Sequence, residues 1–172
     1  MLMKSDRPDP RQTAPTTGAR LVVHGAFVLL CFAVAAAGGL ANSYGLTDWY
    51  PTLVKPSFNP PNWVFGPVWT VLYLMIAVAG ARFWLSAVPD GGHAMAAWWV
   101  QLVLNLAWSW VFFFGQAIGW ALVVIGGLWL SIVATITAGW TKDRLASLLL
   151  IPYLCWVSFA AVLNFAIWRL NG

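Results

Sequence analysis

The sequence predicts an all-α membrane protein, a five-transmembrane-helix bundle. Three observations lead there. The 172 residues are 61% hydrophobic and only 8% charged, with a mean hydropathy of +0.77, whereas a soluble domain carries about 25% charged residues. Five apolar stretches cover Leu21–Ala41, Trp63–Ala81, Ala94–Phe114, Trp120–Trp140 and Leu145–Trp168. Each is long enough as a helix to cross a ~30 Å hydrocarbon core. The links between them are short except for residues 42–62, and short links force neighbouring helices to run antiparallel.

Residues 1–20 are polar, charged and rich in Pro and Thr, the composition of a disordered tail. The transmembrane domain is then expected over residues 21–171. The first apolar stretch is too long for the core of a signal peptide, although Gly39-Leu40-Ala41 loosely resembles a cleavage site. Between Trp49 and Tyr73 the chain reads WYPTLVKPSFNPPNWVFGPVWTVLY. Its five prolines fix φ, remove donors and bias each preceding residue towards extended geometry. This stiff, aromatic segment is suited to lid a flat apolar ligand. The remaining links are residues 82–93, with ValProAspGlyGly at 88–92, then 115–119 and 141–144. Pro152 lies near the start of the fifth stretch, where it acts either as a kink that frees the Leu148 carbonyl or as a plain helix-start proline. No internal repeat appears, which argues against an inverted-repeat transporter.

Charge gives orientation. Lys4, Arg7, Arg11, Arg20, Arg82, Lys142 and Arg144 collect on the N-terminal side, and only Lys55 and Arg169 on the other. The positive-inside rule then puts the N-terminus in the cytoplasm if the host is an inner membrane, and leaves inner versus outer membrane open. There is no basic stripe of the kind that binds nucleic acid. There is no glutamate, and the five aspartates lie in the tail or in links, so buried acids for an ion-coupled pump are missing. Cys31 and Cys155 sit in apolar runs, while His24, in the first turn of helix one, and His93, in a loop, have no metal-ligand company. No metal, cofactor or catalytic constellation is expected.

Thirteen tryptophans exceed what two interfacial belts need, so some should line an interior. Trp63, Trp120, Trp140 and Trp168 fall at helix ends, where a belt role fits. Phe65, Trp69, Tyr73 and Ile76 share a face of helix two. Gln101, Asn105, Trp108 and Ser109 share one on helix three, and Tyr153, Trp156, Ala160 and Asn164 one on helix five. Polar groups in a bilayer point inward, so these three faces should converge on a pocket of indole and phenol walls. Gln101, Asn105 and Asn164 are then either amide handles for a ligand or interhelical glue. Gly127, Ser131, Thr135 and Gly139 form a small-residue stripe on helix four, and Ala35 and Gly39 a shorter one on helix one. Either stripe is a candidate for close packing or a dimer face.

The proline-rich run from Trp49 to Tyr73, QLVLNLAWSWVFFFG at 101–115 and PYLCWVSFAAVLNFAIWRLN at 152–171 together resemble the TspO / translocator protein family (tryptophan-rich sensory protein, peripheral benzodiazepine receptor). The likeness covers residues 21–171. It implies a five-helix bundle, usually a homodimer, with a pocket near the first loop for porphyrins such as protoporphyrin IX and for isoquinoline or benzodiazepine drugs. Carried over, the family's pocket tryptophans match Trp69 and Trp156, its loop-one positions Trp49 and Tyr50, its helix-three amide Asn105, and its ligand-sensitive small residue Ala160. Phe165 stands where the family's sterol-recognition segment has a tyrosine, which argues against cholesterol binding. Ser57 and Phe58 replace a tryptophan that some members carry after LysPro.

The resemblance implies an integral, multi-pass tetrapyrrole-binding protein acting as sensor or carrier. Its alternatives are a photo-oxidative protein in which Trp69 and Trp156 pass electrons to a bound porphyrin, and a scaffold that transports nothing. The expected binding set is Trp49, Tyr50, Phe65, Trp69, Tyr73, Gln101, Asn105, Trp108, Tyr153, Trp156, Ala160 and Asn164.

Overall fold

A computed structural model of the chain describes residues 16–86 and 92–172. The first helix, α1, spans Thr17–Leu46, longer at both ends than its apolar stretch. It starts early because the Thr16 hydroxyl caps it, accepting from the Ala19 amide at 3.3 Å. The helical chain therefore reaches four residues into the segment expected to be a tail. His24 is correspondingly deeper than the first turn and bonds to the Arg20 carbonyl. At the far end nothing in Asn42–Leu46 breaks the helix, so the expected 42–62 loop is shorter. It is organised by two single 3₁₀ turns at Tyr50–Thr52 and Asn62–Val64.

Helix α2 spans Phe65–Ser86, with Pro67 in its first turn where no intrahelical donor is needed. Most of the ValProAspGlyGly link lies outside the described residues. Helix α3 runs from Gly92 to Ser109, so His93 belongs to its first turn and not to a loop. It continues as a π-helical turn over Trp110–Phe114. Helix α4 spans Ile118–Gly139. The fifth apolar stretch is divided into α5, Arg144–Leu149, and α6, Ile151–Asn171. Pro152 is the second residue of α6, so it opens a helix instead of kinking one. The break itself sits at Leu150. The five expected spans are present, each long and apolar enough to cross a membrane, and no strand occurs among the described residues. This is an integral, multi-pass, all-α membrane protein.

One end of the bundle is the charged end. There Arg82, closing α2, pairs with Asp143 at 2.9 Å, and Asp143 also caps α5 by accepting from the Ala146 amide. The half of the bundle next to this end is solidly packed around Phe27, Cys31, Ile76, Leu128, Ile132 and Trp98, all buried. Gly80 makes this possible: a Cβ there would lie 2.5 Å from the Trp98 ring. With no side chain in the way, the indole lies on α2 and donates to the Ile76 carbonyl at 3.1 Å.

The small-residue stripe of α4 faces inward. Ser131 and Thr135 are buried, with their hydroxyls donating to carbonyls of α4 itself. Gly127 faces Leu104 of α3, and Gly139 packs on Phe83 of α2. The stripe serves packing within the bundle. Trp63 and Trp120 stand 74% and 71% exposed at helix ends, the most outward of the tryptophans expected to form belts.

Candidate functional site

The other half of the bundle, beneath loop 47–61, is hollow. A cavity of about 630 Å³ opens among α1, α2, α3 with its π turn, and α6, within the range of small-molecule sites. Of the residues expected to bind a ligand, Tyr50, Phe65, Trp69, Tyr73, Asn105, Trp108, Trp156, Ala160 and Asn164 line it. Trp49, Gln101 and Tyr153 do not.

The walls are aromatic and mutually supported. Trp69 packs against Tyr73 at 5.6 Å and edge-on to Tyr153 at 6.2 Å. Trp156 meets Phe65 edge-on at 5.8 Å and Phe159 at 5.6 Å. Trp108 stacks on Phe112 at 5.2 Å. Such contacts hold each ring in one orientation while leaving a face towards the void.

The amides are structural partners first. Tyr73 donates its hydroxyl to Asn105 Oδ1 at 2.6 Å, and Asn105 Nδ2 donates to the Tyr153 hydroxyl at 2.7 Å. This chain ties α2, α3 and α6 together at the cavity floor. Tyr153 is fully buried behind Asn105, which is why it misses the lining. Trp108 Nε1 donates to Asn164 Oδ1, and Asn164 Nδ2 donates to the Ile118 carbonyl, both at 3.1 Å. Asn164 thereby fixes both the Trp108 ring and the entry to α4.

Gln101 lies one turn from Asn105 on the same face, but towards the charged end and beneath the cavity floor. It is fully buried, and neither amide atom has a hydrogen-bond partner among the described residues. Trp49 packs on Phe112 at 5.6 Å from the loop side, holding that wall from behind.

The roof is the proline-rich segment. Tyr50 is buried against Phe113 and Phe112 and donates its hydroxyl to Asn59 at 2.9 Å. Burial raises its pKa, against the opposing pull of the Asn59 hydrogen bond, so the phenol stays neutral. Lys55 sits 4.8 Å from the centre of the Tyr50 ring and donates to the Leu53 carbonyl at 3.1 Å. Asn171, at the end of α6, clips the flap. Its Oδ1 accepts from the Val54 amide and its Nδ2 donates to the Val54 carbonyl, both at 2.9 Å.

Two features of the site were not anticipated from sequence. The first is a fourth wall, α1, which contributes Phe32, Ala35, Ala36, Gly38, Gly39 and Asn42. Ala35 and Gly39, one of the two candidate dimer stripes, thus face the void. Their signal was the run AlaAlaAlaGlyGly followed by a lone in-span asparagine, small residues leaving space that larger ones would fill. The second is the π turn, whose extra residue per turn swings Phe112 and Phe113 towards the site. Gly45 accommodates it, since a Cβ there would lie 2.5 Å from the Phe113 carbonyl oxygen. The chain then reverses through Gln116 at a φ of 50°, a left-handed conformation uncommon outside glycine.

Relatives of known name share much of this sequence. A model of the TspO/MBR family matches residues 27–169. The tryptophan-rich protein TspO of Chlorobaculum tepidum is 47% identical over 146 residues, covering 83% of this chain and 91% of that protein. Protein CrtK of Rhodobacter capsulatus is 36% identical over 147 residues, 84% of this chain and 92% of that one. The Homo sapiens translocator protein is 39% identical over 131 residues, 72% and 75% of the two chains. Since the matched residues reach all five spans and include every wall of the cavity, the chain belongs to the TspO/MBR family.

Proposed function

We propose that this protein is a membrane sensor or carrier that holds a flat, largely apolar tetrapyrrole of the protoporphyrin IX kind in the loop-side cavity, and that isoquinoline- or benzodiazepine-type drugs occupy the same space. The observation that carries this reading is the cavity itself: about 630 Å³, walled by Trp69, Trp108 and Trp156 and roofed by a stiff flap. Aromatic faces suit a planar π-system, and burial of its apolar area supplies most of the affinity, at about 25 cal/mol per Å² before ordering costs. The names of the relatives, sensory and translocator proteins among them, support the coarser role. A homodimer belongs to the same reading.

The test is a titration of the purified protein with protoporphyrin IX and haem, followed by tryptophan quenching, and with radiolabelled cholesterol, followed by retained label. The expected order puts the porphyrins well ahead of cholesterol. Saturable cholesterol binding without porphyrin binding would remove the reading.

A further inference from the structure

The cavity has a floor and a rim, and its free polar groups are not spread evenly between them. At the floor Tyr73 bonds to Asn105. Asn62, at the loop end of α2, stands about three turns and ~16 Å above Tyr73. The antiparallel register of α1 and α2 is fixed by Phe27, which lies against Gly80. Counting the same distance forward along α1 and back along α2 sets Asn42 level with Phe65, the neighbour of Asn62 by one turn. Both asparagines line the cavity, on the two sides of an opening where Gly39 of α1 and Gly66 of α2 are exposed.

Most polar groups of the lining are engaged. Tyr73, Asn105, Trp108 and Asn164 are bonded within the protein. Tyr50 donates to Asn59, and Thr70 to the Gly66 carbonyl. Free donors among the described lining residues are the indole N–H groups of Trp69 and Trp156, the Ser109 hydroxyl, and the side-chain amides of Asn42 and Asn62. Asn59 shows the contrast: its amide is taken by Tyr50 and the Pro60 carbonyl, whereas that of Asn62 is not. The Asn42 Oδ1 is occluded, so its Nδ2 is the atom that meets the cavity.

These free groups donate, but none is a cation. Lys55, at the same end, is occupied by the Leu53 and Pro51 carbonyls and the Tyr50 ring. A carboxylate fully withdrawn from water to neutral donors stays costly. One that is held at the edge of the site keeps part of its hydration and gains charge-assisted N–H bonds. Asn62 is exposed and Asn42 half-buried beside the opening, while Ser109 is buried deeper, against Gly38.

We infer that the guest sits with an acidic edge uppermost: the amides of Asn42 and Asn62 hold its carboxylates at the rim, and its apolar edge rests on the Tyr73–Asn105 floor. The two asparagines are then specificity-determining residues for a planar macrocycle that carries two carboxylates on one edge. This rests on the cavity being a tetrapyrrole site and adds the direction in which the tetrapyrrole enters it.

The experiment titrates protoporphyrin IX and its dimethyl ester into the full chain in phosphatidylcholine nanodiscs at pH 7.5, with partitioning into empty discs subtracted. Asn62→Ala is expected to weaken the diacid ~5-fold or more, the loss of one bond to a charged group, and to leave the ester within about twofold. Asn42→Ala combined with Asn62→Ala is expected to weaken the diacid ~20-fold, again sparing the ester. Asn62→Lys is expected to strengthen the diacid selectively, an effect that a folding defect cannot produce. Equal losses for acid and ester, or a diacid indifferent to all three variants, overturn the inference and leave the tetrapyrrole reading standing, because both porphyrins still bind the wild type. If neither porphyrin binds the wild type, that reading falls and the inference falls with it.

Discussion

Replacing Trp156 with alanine tests the cavity most directly. The indole is half-buried, is held by Phe65 and Phe159, and lines the void. One face of it covers roughly 100 Å² of a flat guest, about half of what a buried aromatic contributes. At about 25 cal/mol per Å² that contact is ~2.5 kcal/mol. Ordering costs and partial filling of the gap by the guest reduce this to ~1.4 kcal/mol or somewhat more, so Kd is expected to rise ~10-fold or beyond. The fold should survive, because the pairings of the indole with Phe65 and Phe159 are worth only ~0.5–1.5 kcal/mol each. The assay is a protoporphyrin titration read as the midpoint of the binding curve. Quenching amplitude is unsuitable, since the variant also removes a fluorophore. Thermal denaturation in the same detergent confirms folding, and Trp156→Phe, which keeps an aromatic face, should recover most of the affinity. A Kd within twofold of the wild type, with folding intact, refutes the reasoning.

Other perturbations separate structure from binding. Asn105→Ala strips partners from two hydroxyls, Tyr73 and Tyr153, the latter fully buried; at ~1–3 kcal/mol per unsatisfied group, a clear drop in Tm is expected, and an unchanged Tm contradicts the bonded floor. Asn171→Ala unclips Val54 from α6, so amide exchange in residues 52–58, followed by mass spectrometry, should quicken ~5-fold or more for a loss of ~1 kcal/mol while the spans stay protected. Tyr50 makes the flap alkali-sensitive: its folded pKa is raised by burial, so its stabilising contribution is complete below the unfolded value near 10 and disappears as pH climbs through the folded one. The protection of the flap, its exchange set against the base-catalysed intrinsic rate, should therefore fall above about pH 10, and Tyr50→Phe should abolish that fall.

The spans were legible because a bilayer demands long apolar runs with internally bonded backbones. Their inward faces were legible only where chemistry marked them. Trp69, Asn105, Trp156 and Asn164 stand out as polar or aromatic residues at helical spacing, and all four line the cavity. The same argument placed Gln101 correctly on its face of α3 but not in depth, because periodicity fixes an angle around a helix and not a height along it. The wall supplied by α1 escaped notice for a different reason. Lipid and protein interior are both apolar, so Ala36 and Gly39 look the same facing either. Helix ends shifted where single side chains decide them, as the Thr16 cap shows.

Gly80 has a consequence beyond its own contact. By letting Trp98 lie against α2 it also lets Phe27 of α1 meet the same indole edge-on, so three helices share one ring in the packed half of the bundle. A methyl added at Gly80 would strike both rings at once and force α1 and α3 away from α2, so its cost is expected as lost stability in the half remote from the cavity.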